Sequence, residues 1–364
     1  MYSRHLLPVR RDRLQPVIRT LSEPSVAGTD TKAWATAPRQ PISATVIIPT
    51  HNLGEHLIKL LTQLEGTQLG GCEVIIVDDG STDDTWSKIS TWTGLQVPTL
   101  LKRFENNRGV AAVRNWAVNV ARGAYIWLID ADDEWPSDAL TTLLNAAERT
   151  HADIILGQAV RLIVSSGRET PVPAPRGGLL LSHSDLVRSF LKGDIQGHLW
   201  SKLFRRSLFN NETFPELRSK SDACGVAHLI RKASVGYTIS SQIYRYRFHS
   251  GSIATQHPNC LDLLHVLESV HRTFGLEPTD ELFFRIFHVR AFAIPVLCEI
   301  WRAGTEDPNT RLVERICTGL LTWNSTLSLL KAGERRLAIF SIAYRVCPHL
   351  LRRIYITSHQ HEWQ

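Results

Sequence analysis

An apolar segment that ends in three carboxylates constrains this chain more than any other feature. The run Ile126–Ile129 has the composition of a buried strand, and Asp130, Asp132 and Asp133 follow it within four residues. These carboxylates repel one another unless a cation lies between them. Because Mg²⁺ and Mn²⁺ prefer carboxylate and phosphate oxygens, the segment predicts a divalent-metal site. The alternative is a solvated acidic turn that caps the next helix.

Strands and helices alternate around this segment with short links. This pattern predicts a mostly parallel sheet with helices on both faces, in which ligands bind beyond the carboxyl ends of the strands. Polar residues cluster at three of these ends, at residues 50–52, 78–81 and 130–133. We predict strands at 44–49, 73–80, 97–102 and 124–129 and helices at 54–64, after residue 82, and at 110–121.

Two further polar segments suit a nucleotide. A carboxylate in Asp78-Asp79-Gly80 can accept a hydrogen bond from a ribose or from a uracil-type base, and Gly80 permits a sharp turn. Ser81 or Thr82 capping the next helix is the alternative there. Arg108 and Arg114 lie near a predicted helix start, where phosphate binds well, although solvated arginines on an ordinary basic helix are the alternative.

Together these segments resemble glycosyltransferase family 2, which has the nucleotide-binding GT-A fold. The resemblance runs through Val46–Asn52, Val77–Asp83, Asn107–Asn115 and Asp130–Asp133, with His51 where the family usually has an aromatic residue. It implies the following roles for residues of this chain. Asp79 contacts the base, Asp130 lies near the ribose or the metal, Asp132 with help from Asp133 holds Mn²⁺ or Mg²⁺ against the diphosphate, Pro49, Thr50 and Asn52 line the nucleotide pocket, and Arg108 or Arg114 contacts base or phosphate.

The resemblance continues into the second half and covers roughly residues 42–255. The segment with Trp200 and Lys202 resembles the Trp-x-Lys-Leu segment that bacterial members carry beside the sugar site. Asp222 matches the family's general base, although Ser221 replaces the usual glutamate before it. His249 lies in a common late segment and is expected to bind the metal or the diphosphate, with a structural histidine as the alternative.

Composition sets the expected domains and partners of the 364-residue chain. We predict a mobile basic tail at 1–40, a GT-A domain at 41–255 and a helical accessory region at 256–364. The net charge of +6 lies mostly at the ends, since residues 1–40 hold seven Lys/Arg against three Asp/Glu and residues 331–364 hold six against two. A nearly neutral middle argues against nucleic acid as a partner. The six cysteines form no CxxC pair, which favours buried, reduced thiols.

The sequence shows no secretory signal and no apolar run of about 18 residues, so we predict a cytoplasmic protein. Residues 337–356 mix apolar residues with arginines, and Pro348 should split any helix there. Two interpretations remain for this stretch. It packs as an accessory helix, or it lies as a peripheral helix on the inner face of an anionic membrane.

We therefore expect an inverting glycosyltransferase that uses a nucleotide diphosphate sugar, UDP-linked by family habit. Its acceptor would be a hydroxyl of a glycan or lipid-linked glycan in polysaccharide biosynthesis. A sugar nucleotidyltransferase is one alternative, but a Gly-rich loop does not follow the first strand. A non-catalytic scaffold that keeps the fold is the other, and Ser221 is the feature that favours it.

Overall fold

The structure is a computed structural model that describes residues 31–32, 41–217, 220–249, 260–275, 281–303 and 308–359. Its strands are β1 (Thr31–Lys32), β2 (Ala44–Thr50), β3 (Glu73–Asp78), β4 (Thr99–Arg103), β5 (Tyr125–Leu128), β6 (Ile154–Ile163), β7 (Arg168–Pro171), β8 (Leu180–Ser182), β9 (Lys202–Arg205) and β10 (Val235–Phe248). Its helices are α1 (His56–Glu65), α2 (Thr85–Thr91), α3 (Val110–Val120), α4 (Ala139–Thr150), α5 (His183–Lys192), α6 (Ser221–Lys232), α7 (Cys260–Phe274), α8 (Glu281–Phe287), α9 (Ile294–Ala303), α10 (Pro308–Leu320), α11 (Trp323–Lys331), α12 (Arg335–Val346) and α13 (Pro348–His359).

The strands form one sheet in the order β1-β4-β3-β2-β5-β9-β6-β10-β8, and β7 pairs with β6. The pairings β2–β3, β3–β4, β2–β5 and β6–β10 are parallel, whereas β9 is antiparallel to both β5 and β6. Strands β2 to β6 and β10 therefore share one direction. The predicted α/β fold with a mostly parallel sheet is confirmed.

Alternation along the central strands explains why both faces of the sheet are covered. Successive side chains of a strand point to opposite faces. Ile47 and Ile75 accordingly belong to one buried cluster, and Val46 and Val74 belong to the other. Helix α3 supplies apolar residues to the first cluster, and α1 and α4 supply them to the second. These strands are thus apolar on both sides, as buried parallel strands require.

A buried carboxylate at the start of β3 ties three segments together. Glu73 is fully buried, and its Oε1 accepts hydrogen bonds from Thr45 Oγ1 and from the backbone N–H of Arg122, both at 2.7 Å. The Arg122 Nε donates to the other oxygen, Oε2, at 2.7 Å. These bonds fix the end of α3 against the starts of β2 and β3.

Several local predictions were wrong. Thr31 and Lys32 lie in the predicted mobile tail but form β1, which pairs with Leu101 and Lys102 and covers what would otherwise be the open edge at β4. The rest of residues 1–40 lies outside the described residues. The Gly- and Pro-rich composition of residues 165–178 predicts a loop, yet residues 168–171 form β7 because they pair with the end of β6.

The C-terminal part is helical, as predicted. The helix break falls at Cys347, directly before Pro348, which confirms the predicted split between α12 and α13. Among the helices of the described ranges, none is long and apolar enough to cross a membrane. The cysteine prediction holds for Cys72, Cys224 and Cys317, which are free and buried, but is wrong for Cys347, which is exposed at the helix break.

Apolar contacts cross the predicted boundary between residues 255 and 256. Val270 of α7 and Phe287 of α8 belong to the same cluster as Leu186 and Phe190 of α5. Helices α9 to α12 contribute most of a separate cluster. The domain boundaries remain a prediction, and we propose that α7 and α8 form the link between the two parts.

Replacing Glu73 tests whether its buried hydrogen bonds stabilise the fold. We expect Glu73→Ala to lower the free energy of unfolding by about 3–5 kcal/mol, because it leaves the Arg122 guanidinium without its buried partner. Chemical denaturation measures this loss. The exposed Glu105 gives the control, since Glu105→Ala should change the stability by less than about 0.5 kcal/mol. Equal stability of the two variants would contradict the assignment.

Candidate active site

The strand directions bring the polar residues to one edge of the sheet. Thr50 and Asp78 end the parallel strands β2 and β3, Asp130 follows β5, and His249 follows β10. Because β9 runs in the opposite direction, its first residue, Lys202, lies at the same edge. The sequence motifs therefore meet in space as predicted for a ligand-binding edge.

Asp78 braces the turn after β3. Its Oδ2 accepts the Ser81 backbone N–H at 3.1 Å, its Oδ1 accepts the Ser81 hydroxyl, and Arg103 Nε lies 3.5 Å from Oδ2. The prediction that Ser81 or Thr82 caps the next helix was wrong, since α2 begins only at Thr85 and Ser81 is held by Asp78.

Asp79 holds the loop that leads into α3. Its two carboxylate oxygens accept the backbone N–H groups of Arg108 at 2.7 Å and Gly109 at 2.9 Å. The side chain is buried, and both donors come from the positive end of the helix, which suits a carboxylate. The contact with a base stays a prediction. What the geometry adds is that Asp79 positions the segment that carries Arg108.

Gly80 is required by a close approach between two loops. Its φ is +66°, and a Cβ placed on it would lie 2.7 Å from the backbone carbon of Asn106 and from the backbone nitrogen of Asn107. Any side chain would push the 106–109 loop away from the end of β3.

The loop after β2 is tied to the same turn. Asn52 has a φ of +48°, its backbone N–H donates to Ser81 Oγ at 2.9 Å, and its Oδ1 accepts the Thr82 N–H at 2.8 Å. Thr50 is buried, and its hydroxyl donates to the Val77 carbonyl at 3.3 Å. Pro49, directly before it, is half-buried in β2. The residues predicted to line the nucleotide pocket therefore lie at this edge of the sheet, and hydrogen bonds to β3 and to the turn after it hold Thr50 and Asn52 in place.

The two candidate arginines differ in environment. Arg114 is buried, and its Nη2 donates to Asp130 Oδ1 at 3.0 Å while its guanidinium lies 6.0 Å from the Phe214 ring. Arg108 is exposed, with its guanidinium 5.0 Å over the Phe104 ring. Arg114 thus orients a carboxylate of the acidic segment, and Arg108 is the one that a ligand can reach from solvent.

The three carboxylates after β5 point to different partners. Asp130 pairs with Arg114, and its backbone N–H donates to the Tyr244 hydroxyl at 3.1 Å. Asp133 is buried, and its Oδ1 accepts the Arg247 N–H at 2.7 Å. Asp132 is only half-buried, and its Oδ2 lies 3.1 Å from Nε2 of His249.

Negative charge is concentrated here. Burial raises the pKa of Asp130, an effect that Arg114 opposes and that the charges of Asp132 and Asp222 increase. Burial also raises the pKa of Asp133 well above its ordinary value, and the charges of Asp130 and Asp132 add to this rise. A cation at this edge would relieve the repulsion that these shifts express.

The donor set fits a metal that is shared with a ligand. No group of three or more His, Cys, Asp or Glu residues is arranged as a metal cage in the part of the chain that the structure describes. Mg²⁺-type sites commonly use one or two protein carboxylates together with substrate phosphates and water. Asp132 and His249 therefore suit a Mn²⁺ or Mg²⁺ ion that completes its shell from a diphosphate. Asp133 faces Arg247 and is the weaker candidate ligand.

Trp200 and Lys202 are both buried. The Trp200 ring stacks on His198 with centroids 3.7 Å apart and on Tyr244 with centroids 4.6 Å apart. Other side chains of the protein therefore stack against the ring. Lys202 Nζ donates to the His198 carbonyl at 2.5 Å. Burial lowers the pKa of Lys202 to about 7, and the Asp222 carboxylate opposes this lowering.

Asp222 lies in the first turn of α6. It is half-buried, and its Oδ1 accepts the Ala223 N–H at 2.9 Å. Its charge acts on both Asp130 and Lys202, which places the three groups within electrostatic reach of one another. The neighbouring Ser221 is buried. The geometry thus brings the predicted base to the acidic edge.

Residues without an assigned role in the sequence complete the edge. Tyr244 contacts Asp130 although 114 residues separate them, and its ring also stacks 6.3 Å from Trp135. The Asn115 amide exchanges two hydrogen bonds with the backbone of Phe214, at 2.8 and 3.0 Å. These contacts are tertiary, so no local signal in the sequence indicates them. His56, whose ring stacks 5.7 Å from His249, carried no sequence signal either.

Comparison with known proteins identifies relatives of this arrangement. The family model described as "Glycosyl transferase family 2" matches residues 45–234, slightly more than half of the chain. The chain is 26% identical to "Glycosyltransferase GlyG" of Streptococcus pneumoniae over 216 residues, which cover 57% of this chain and 71% of that protein. It is 24% identical to "Putative teichuronic acid biosynthesis glycosyltransferase TuaG" of Bacillus subtilis over 211 residues, or 58% and 81% of the two chains.

A solved structure shares the fold. Residues 1–349 of S. aureus TarS in complex with UDP-GlcNAc superimpose with a TM-score of 0.66 at 20% identity, covering 84% of this chain and 92% of that one. This likeness extends past the family match and agrees with the mixed α/β sheet and the helices that follow it.

Two glycine variants separate the close approach at Gly80 from backbone strain. Gly80 and Gly167 have φ values of +66° and +67°, but of these two only a Cβ at Gly80 would meet other atoms. We expect Gly80→Ala to lower the free energy of unfolding by at least about 1 kcal/mol more than Gly167→Ala, because it adds a clash to a similar strain. Chemical denaturation of both variants measures this difference, and equal losses would contradict it.

Proposed function

Because this chain belongs to glycosyltransferase family 2, we propose that it transfers a sugar from a UDP-linked donor to a hydroxyl of a glycan, with inversion and with a divalent metal. The observation that carries this proposal is the Asp132–His249 pair at the edge where the parallel strands end, in the same acidic segment as Asp130, on which the charge of Asp222 acts. The pair can bind a metal diphosphate, and Asp222 can accept a proton.

The donor class follows from the braced loops. The turn after β3 and the loop that carries Arg108 lie side by side because Asp79 joins them, which holds the exposed Arg108 guanidinium near the end of β3. An exposed guanidinium at this edge suits the phosphates of a nucleotide. TarS, which shares the fold, was solved with UDP-GlcNAc, and this supports UDP as the nucleotide.

A lipid-linked or polymeric glycan is the proposed acceptor. TuaG, one of the relatives, is named for teichuronic acid biosynthesis, which supports a place in polysaccharide synthesis. The transfer would take place on the side of the membrane where nucleotide sugars are made, so we propose a cytoplasmic location.

The metal ion, held by Asp132 and His249, would act as a Lewis acid that stabilises the negative charge of the leaving diphosphate. The chain's own residues prepare this site. Arg114 keeps Asp130 in place, and the Arg247 N–H does the same for Asp133, so that Asp132 alone of the three carboxylates pairs with His249. Lys202 lies within the electrostatic reach of Asp222, and burial lowers the pKa of its ammonium group to about 7.

Asp222 is the proposed general base. It would take the proton of the acceptor hydroxyl while that oxygen forms a bond to the anomeric carbon. The bond from this carbon to the diphosphate oxygen breaks at the same time, and UDP leaves with the electron pair. Attack from the face opposite the leaving group inverts the anomeric centre. The other candidate, a non-catalytic scaffold, is favoured by Ser221 and would bind nucleotide without turnover.

Removing the Asp132 carboxylate tests the metal site. We expect Asp132→Ala to lower the Mn²⁺-dependent release of UDP by about 100-fold or more, because the developing diphosphate charge loses its stabilising partner. Circular dichroism should show an unchanged fold. Asp138, an exposed carboxylate six residues later, supplies the control, and Asp138→Ala should keep full activity. Retained metal-dependent turnover in Asp132→Ala would rule out its role.

Removing the base should separate binding from chemistry. Asp222→Asn keeps the size of the side chain but cannot take a proton, so transfer should fall by about 100-fold or more. The UDP affinity, measured by calorimetry with Mn²⁺, should stay within about twofold of that of the parent chain. Full transfer activity in this variant would place the base elsewhere. Nucleotide binding without transfer in the parent chain would favour the scaffold.

A further inference from the structure

The last three helices leave apolar side chains in solvent along regular stripes. In α12, Ile339, Ile342 and Val346 are exposed, at spacings of three and four residues that place them on one side of the helix. Leu350 and Ile354 form the same pattern on α13. Ile339 and Val346 are 66% and 67% exposed, so these are not partly covered core residues.

Helix α11 shows a third stripe. Trp323, Leu327 and Leu330 are exposed at positions that repeat every three or four residues. The guanidinium of Arg345 in α12 lies 5.0 Å over the Trp323 ring, and its Nη1 donates to the Leu321 carbonyl at 2.6 Å. This contact joins the exposed Trp323 of α11 to α12.

The inner sides of these helices are already occupied. In α12, Ala338, Ser341 and Tyr344 are buried, and Ala338 and Tyr344 belong to the C-terminal core cluster. The helix therefore carries apolar side chains on its exposed side as well as on its buried side. Exposed apolar side chains that lie together mark an interaction surface.

The charge of this region indicates what kind of partner it has. Between residues 323 and 359 there are six Lys/Arg and one Asp/Glu, a net charge of +5. The single acidic residue, Glu334, is paired with Arg290 at 2.6 Å. Helical spacing places Arg335 on the side of Ile339 and Arg353 on the side of Leu350, so basic and apolar side chains share a face.

We propose that the outer face of α11–α13, defined by these three stripes and the arginines beside them, binds the surface of an anionic lipid bilayer. The apolar side chains would enter the interface, and the arginines would contact lipid phosphates. Trp323 has the amphipathic ring that favours this depth.

The same observations disfavour two other occupants. A second copy of the chain would bring two basic segments together, each with a net charge of +5 over residues 323–359, and like charges across an interface oppose association. Nucleic acid would suit the arginines but would leave the Ile, Leu and Val stripes in water. Membrane binding by this face needs no nucleotide or acceptor, so it can be tested independently of the proposed function.

Co-sedimentation with extruded vesicles tests the proposal. We expect the full chain to bind vesicles of equal parts phosphatidylglycerol and phosphatidylcholine at low salt, and to bind phosphatidylcholine vesicles at least about tenfold more weakly. High salt should weaken the binding to the anionic vesicles, because it screens the arginines.

Variants locate the binding face. Ile339→Asp combined with Ile354→Asp should lower binding to the anionic vesicles by at least about tenfold, because each adds a like charge to the lipid and removes an apolar contact. Arg335→Gln combined with Arg353→Gln should also lower it, by about fivefold or more. Leu180 of β8 is 65% exposed and gives the matched control, since Leu180→Asp should bind like the parent chain.

Two results would overturn the proposal. One is a parent chain that does not sediment with anionic vesicles at low salt. The other is a parent chain that forms dimers in analytical ultracentrifugation which Ile339→Asp with Ile354→Asp dissolves, since the face would then be a contact between copies. Circular dichroism of each variant confirms that a loss of binding is not a loss of fold.

Discussion

The concentration of carboxylates at one edge of a parallel sheet is the constraint on which the rest of the structure depends. Strand direction brings them together, and each would repel the others. Asp78 is held by Ser81, Asp79 by the N–H groups before α3, Asp130 by Arg114, and Asp133 by the Arg247 N–H. Asp132 is the carboxylate of the acidic segment that pairs with a histidine instead, and this pair is the metal site that we propose.

The groups that hold the carboxylates of this edge in place come from distant parts of the chain. Strand β10 supplies Tyr244 and the Arg247 N–H, and a bridge between Arg245 and Glu134 joins it to the acidic segment. Helix α6 then starts at the same edge with Asp222 in its first turn. Asp222 at the start of a helix and the Asp132–His249 pair in the segments that follow β5 and β10 therefore lie at one edge of the sheet.

The sequence predicted the framework and the location of the site better than its internal contacts. Apolar strands with β-branched residues, such as β2 and β3, have a strong local signal, and their ends necessarily share an edge. Tyr244 and His56 gave no such signal because their contacts depend on tertiary pairing. The place of Trp200 beside a sugar stays a prediction, and its stacking on His198 and Tyr244 had no signal in the sequence, because an aromatic residue does not reveal which neighbours cover it. Ser81 was an alternative candidate for a helix cap, but its hydroxyl donates instead to the buried carboxylate of Asp78.

The central claim is that Asp132 and His249 bind a metal ion together with a diphosphate. Calorimetric titration of UDP into the full chain, with and without Mn²⁺, tests it most directly. The account predicts that Mn²⁺ strengthens UDP binding by at least about tenfold, which corresponds to about 1.4 kcal/mol. An equal UDP affinity in the presence and absence of Mn²⁺ would contradict it.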